Sequence, residues 1–116
     1  MSRRAPHLLR GEAAEAHALR WLQKQGLKLE ARNFRCRGGE IDLILRDGPT
    51  LVFVEVRYRS HGGYGSAAES VTPAKQRRLR LAAEHYLQRL GSEPPCRFDI
   101  IGIDRELRIQ WIRNAF

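Results

Sequence analysis

Lysine is nearly missing from this chain. Of 21 basic residues in 116, only Lys24, Lys28 and Lys75 are lysines. The arginines that replace them carry a planar guanidinium suited to bidentate phosphate contact. Acid is also short, with 13 Asp plus Glu, so the net charge is +8 and the isoelectric point is near 10.5. That balance disfavours an acidic surface and favours a polyanionic partner. Cysteine is limited to Cys36 and Cys96, which lie far apart with no second Cys or His at ligand spacing. A Cys/His zinc site and a disulfide scaffold are therefore excluded. The two read as reduced thiols of a cytoplasmic protein, with a single disulfide as the other option. No run approaches membrane-spanning length, and the basic opening "MSRRAPHLLR" has no apolar stretch behind it. Neither secretion nor membrane insertion is expected. Internal repeats and low-complexity tracts are absent.

The length suits one domain, residues 1–116, with residues 1–10 expected to be flexible. "GEAAEAHALRWLQKQG" predicts a first helix from Glu12 to Gln25, closed by Gly26, with Ala14, Ala18, Trp21, Leu22 and Gln25 at helical spacing. "LKLEARN" alternates Leu27, Leu29 and Ala31 with charged residues, as a half-exposed strand does. Two further strands, Glu40–Arg46 and Thr50–Tyr58, flank the turn signal Asp47-Gly48-Pro49. The stretch from Arg59 to Val71 contains Gly62, Gly63 and Gly65 without periodicity and reads as a loop. A second helix follows, with Thr72 as N-cap, Pro73 at the first position and Gly91 as the stop. Its core stripe is Leu79, Ala83, Tyr86 and Leu90. "CRFDIIGID" and "LRIQWI" supply the last two strands. The order α-β-β-β-α-β-β predicts one α/β domain with a mixed sheet flanked by helices.

Two strands carry acid where a buried strand is apolar. Asp42 stands amid Ile41, Leu43, Ile44 and Leu45, and Glu55 amid Phe53, Val54 and Val56. With Asp47 to Thr50 as the loop, Arg46 faces Leu51, and continuing that register sets Asp42 directly opposite Glu55. Their Cβ atoms would then lie about 5 Å apart. Carboxylates so placed repel, and apolar neighbours sharpen the repulsion. Mg²⁺ relieves such a conflict, because it takes carboxylate oxygens and keeps waters for substrate and nucleophile. Salt bridges to arginines such as Arg57 or Arg35 are the structural alternative. Glu55-Val56-Arg57 also sets a cation two residues beyond the acid, on the same strand face. A cation there can orient water or neutralise charge developing on a phosphate.

An acid, a dozen residues, then an acid–X–base triplet resembles the pattern of the PD-(D/E)XK nuclease superfamily. More specifically, "GEAAEAHALRWL", "RNFRCRGGEIDLI", "LVFVEVRYRS", "GSAAESVTPAKQRRLRLAAEHYL" and "RFDIIGI" resemble the bacterial YraN family across nearly all of residues 11 to 104. That family is described as Holliday-junction-resolvase-like, with a restriction-endonuclease-like fold. The resemblance implies Asp42 and Glu55 as metal ligands, with Glu15 of the first helix as a third. Glu12, one turn earlier, is its rival, and a plain surface charge is the alternative for Glu15. It further implies the Val56 carbonyl as a metal ligand, and Lys75 and Gln76 as groups that reach the scissile phosphate or a base. Two positions depart from the pattern. Ala14 stands in place of glycine. Arg57 stands in place of lysine, and arginine stays charged and cannot act as a base.

The second helix opens with Lys75, Arg77, Arg78 and Arg80, and Arg32, Arg35, Arg37, Arg46 and Arg59 lie near the hairpin. Such a distribution can track two duplex backbones, or be a solvated face. Phe34, Tyr58 and Tyr64 are candidates for base stacking, the first two equally for the core. The leading expectation is a Mg²⁺- or Mn²⁺-dependent endonuclease-like protein that hydrolyses phosphodiesters in structured or branched DNA. A DNA-binding module without catalysis, through Arg57, is the second reading, and a homodimeric adaptor is the third.

Overall fold

The computed structural model describes residues 6–59 and 67–116. Its elements follow the expected order: α1 (Pro6–Lys24), β1 (Lys28–Cys36), β2 (Gly39–Asp47), β3 (Thr50–Arg59), α2 (Pro73–Leu90), β4 (Cys96–Asp104) and β5 (Ile109–Ile112). The five strands form one mixed sheet in the order β1-β2-β3-β4-β5. β3 and β4 are parallel, with α2 as the crossover between them, and every other pair is antiparallel. Gly62, Gly63, Gly65 and Tyr64 lie outside the described residues.

Each face of the sheet buries one helix. Ala14, Ala18, Leu19 and Leu22 of α1 pack on Leu43, Leu45, Val52, Val54, Ile101 and Ile103. Leu79, Ala82 and Ala83 of α2 pack on Ile44, Leu51, Phe53 and Ile100, from the opposite side. The central strands are apolar on both faces because both faces are covered. α1 starts earlier than the expected Glu12, at Pro6, a residue whose fixed φ suits a first helical position. Gln25 lies past its end and is exposed. α2 ends as its sequence indicates. Thr72 Oγ1 accepts from the Lys75 amide at 3.2 Å, and Gly91 closes the helix at φ 74°.

Two departures have local causes. The register of β1 shifts between Leu29 and Ala31, so the expected alternation fails and Leu29 is exposed. β5 begins at Ile109 rather than Leu107, because Leu107 adopts φ 66° in a turn closed by Asp104. The Asp104 Oδ1 accepts from the amides of Glu106 and Arg108, each at 2.9 Å.

One buried carboxylate serves as a reference. Asp99 of β4 is fully buried, and accepts from Arg97 Nε at 3.0 and 3.1 Å, Trp111 Nε1 at 2.9 Å and the Asn114 amide at 2.9 Å. Four donor contacts account for its charge, as burial requires. Its role is to fix the carboxy-terminal strand.

Candidate functional site

The β2–β3 hairpin has the expected register. Asp47 pairs with Thr50, Arg46 with Leu51, Leu45 with Val52, Ile44 with Phe53 and Leu43 with Val54. Gly48, at φ 60°, makes the two-residue turn with Pro49. One step further the backbone pairing gives way to a side chain: Asp42 Oδ2 accepts from the Val56 amide at 2.8 Å. Val56 thus enters the site through its N–H. Beside it, Glu55 is 94% buried, with 6% relative exposure.

The neighbouring strand β1 is irregular at the same level. Asn33, which would face Asp42, adopts φ 49°, a left-handed conformation that Asn tolerates better than most residues. Strict alternation fails there too, since Ile41 and Ile44 both join the α2 side of the core. Gly38 and Gly39 then turn the chain from β1 into β2 against α2. A Cβ on Gly39 would sit 2.3 Å from the Arg78 carbonyl oxygen, so only glycine allows this approach. Gly38, at φ 89°, supplies the turn.

Between the hairpin and α2 lies a cleft of about 540 Å³, lined by Arg35, Cys36, Gly38, Gly39, Glu40, Asp42, Glu55, Lys75, Arg78 and Leu79. Within the cleft Lys75 Nζ lies 3.1 Å from Glu55 Oε2, and Arg57, which does not line it, brings a guanidinium nitrogen to 3.4 Å from the same oxygen. Among the described residues no such cation pairs with Asp42. Burial, then the Glu55 charge, push its carboxyl up to about 8, against the pull of the Val56 amide. A buried carboxyl so close to another acid holds its proton more tightly than usual. Unlike Asp99, Asp42 is compensated among the described residues by a backbone amide and not by a cation.

Glu15 lies close enough to raise Asp42 further. Its own carboxyl is raised by burial, against the opposing effects of Arg32 and of a hydrogen bond with Asn33. It borders the pair without joining it: among the described residues, no three His, Cys, Asp or Glu side chains gather closely enough to cage an ion. Two carboxylates are a usual Mg²⁺ complement, since that ion keeps most of its waters. The chemistry of this donor set, two adjoining carboxyls in a polar cleft, fits such an ion.

The basic residues separate into groups. Arg78 and Arg35 line the cleft, Arg35 also pairing with Glu40 at 3.2 Å. Arg77 is exposed on the same helix, and Arg59 ends β3. Arg80 is turned elsewhere: its guanidinium carbon lies 5.4 and 5.3 Å from the ring centroids of Phe98 and Phe116. Gln76 donates to the Val71 carbonyl at 3.2 Å, inside its own helix start. Arg46 pairs with Glu30 at 2.7 Å. Phe34 meets Tyr86 edge-on and Tyr58 packs on the α1 side, so both serve the core. The Lys75–Glu55 contact, the Asn33 bend and the Gly39 approach had not been expected. The "CRGGE" glycine pair was the available signal for the last of these.

The chain matches the model of "Uncharacterised protein family UPF0102" over residues 14–103. It belongs to that family. A UPF0102 protein of Herminiimonas arsenicoxydans is 58% identical over 105 residues, covering 90% of this chain and 84% of that protein. Another, from Nitrosococcus oceani, is 54% identical over 117 residues, covering 97% of this chain and 94% of that protein. A third, from Alkalilimnicola ehrlichii, is 58% identical over 114 residues, covering 97% and 90%. UPF0102, the YraN family of the sequence resemblance, is a member of the restriction-endonuclease-like superfamily. Among the described residues no helix is long and apolar enough to cross a membrane.

Proposed function

We propose that this UPF0102 protein is a Mg²⁺- or Mn²⁺-dependent phosphodiester hydrolase acting on structured or branched DNA. The observation that carries this reading is the adjoining Asp42 and Glu55 carboxyls, Glu55 buried, in a cleft also lined by Arg35 and Arg78. Asp42 and Glu55 are the residues that would hold the ion. When bound, it supplies Lewis-acid stabilisation of the phosphate and a more acidic water for attack.

The chain's own residues do the rest. Arg78 and Arg35 draw the sugar–phosphate backbone into the cleft and fix its register, contacts that carry no sequence information. The Val56 amide orients the Asp42 carboxylate, so its other oxygen is aimed independently of the backbone ladder. Burial of Glu55 lowers the local dielectric and strengthens every charge interaction at the floor. The net charge of +8 adds long-range attraction for nucleic acid.

Purified protein incubated with branched, duplex and single-stranded DNA, with and without Mn²⁺, tests the proposal. Cleavage that needs Mn²⁺ and disappears in Glu55→Gln is expected. Retention of cleavage in Glu55→Gln would assign it to a contaminant. A second reading, a binding module without cleavage, draws on Arg57, whose guanidinium is held by Ser70 and Glu55 where the superfamily pattern has lysine. Tight binding with no cutting in any metal would favour it.

A further inference from the structure

We infer that Lys75, and not Arg57, is the cation of this site that meets the phosphodiester, and that Arg57 braces the segment leading into α2. The inference rests on the reading of the cleft as a phosphodiester site, and it reassigns the base of the triplet to a residue two elements away. Arg57 is committed at two points. Its Nε donates to Ser70 Oγ at 3.0 Å, and a terminal nitrogen reaches Glu55 at 3.4 Å. Ser70 Oγ in turn donates to the Ala67 carbonyl at 2.6 Å, so the guanidinium is tied into a short 3-10 turn, Ala68–Ser70. Arg57 is not among the residues that line the cleft.

Lys75 is placed differently. It lines the cleft with Asp42, Glu55 and Arg78, and 37% of its side chain is exposed. Its ammonium has three donors, and one directed at Glu55 leaves two for an incoming ligand. The backbone beneath it is fixed by the Thr72 cap, whose hydroxyl receives the Lys75 amide. Its position in the first turn also adds the positive end of the helix dipole to the ammonium charge. A compact ammonium beside a carboxylate can thus contact both a non-bridging phosphate oxygen and a water. The Arg57 departure then costs the site nothing chemically, because the ammonium arrives from α2.

The shortage of lysine makes this directly measurable. Reductive ¹³C-methylation would label Lys24, Lys28, Lys75 and the amino terminus, giving few and separable NMR signals. Adding short duplex DNA without metal should shift the Lys75 signal and leave those of Lys24 and Lys28 in place. With Mn²⁺, Lys75→Ala should cut ~10²–10³-fold more slowly, the usual loss for one preorganised electrostatic contact, with its melting temperature close to that of the wild type. Arg57→Ala should melt lower yet keep most of its cleavage at a temperature where it is folded. An unmoved Lys75 signal at the highest DNA concentration, or full-rate cutting by Lys75→Ala, would overturn the inference. A shifted Lys75 signal in a protein that never cuts would instead overturn the hydrolytic reading and leave Lys75 as the phosphate contact.

Discussion

Replacing Asp42 by asparagine should stabilise this protein while removing its proposed chemistry. The Asp42 carboxyl has an ordinary value of 3.8, and burial with the adjoining Glu55 raises it to about 8 in the fold. A raised carboxyl binds its proton more tightly in the folded chain than in the unfolded one. Its contribution is therefore fully present below pH 4 and is lost as pH rises towards 8. In that window unfolding becomes easier by up to about 1.4 kcal/mol per pH unit. By pH 7 about three units have been crossed, which amounts to ~4 kcal/mol. Asparagine can still accept from the Val56 amide but has no proton to lose, so the variant escapes this penalty. At pH 7 it should be more stable by a few kcal/mol, a rise in melting temperature of roughly 10–20 °C. Urea unfolding of both proteins from pH 4 to pH 8 is the assay. The difference should be small at pH 4 and grow with pH. A variant no more stable at pH 7, or a gap that does not widen with pH, would refute the view that Asp42 and Glu55 strain one another.

Gly39→Ala should destabilise the fold by about 1–3 kcal/mol, seen as a lower urea midpoint, because its methyl would meet the Arg78 carbonyl oxygen at 2.3 Å. The backbone must move to admit it, and cleft-dependent activity should fall further than stability does. Replacing Arg77 and Arg78 together by alanine should flatten the dependence of log K for DNA on log salt by about one unit per lost contact, equally for unrelated sequences. Arg80→Ala should leave that slope unchanged and cost about 1 kcal/mol of stability, since its guanidinium packs on Phe98 and Phe116.

Periodicity and punctuation carried most of the architecture. The Thr72, Pro73 and Gly91 signals bounded α2 because capping is local chemistry, readable without knowing the neighbours. The Gly48-Pro49 turn set the hairpin register, and with it the proximity of Asp42 and Glu55. What failed depended on contacts across the fold. The Leu29 shift follows from pairing with β2, and the Leu107 turn from capping by Asp104. Arg80 belongs to a helix opening rich in basic residues, yet its direction was decided by the aromatic pair Phe98 and Phe116. The Lys75–Glu55 contact was equally hidden, since only the crossover that lays α2 over β3 brings the two together.

The account stands most directly on one titration. Mn²⁺ added to the free protein at pH 7, followed by calorimetry in two buffers of different ionisation enthalpy, reports both binding and the protons released. Because the Asp42 carboxyl is raised to about 8, binding at this pH should expel about one proton per ion. Asp42→Asn should show neither the binding nor the release. Binding of equal strength in that variant, or binding by the wild type with no proton release, would contradict the assignment of the metal to this pair.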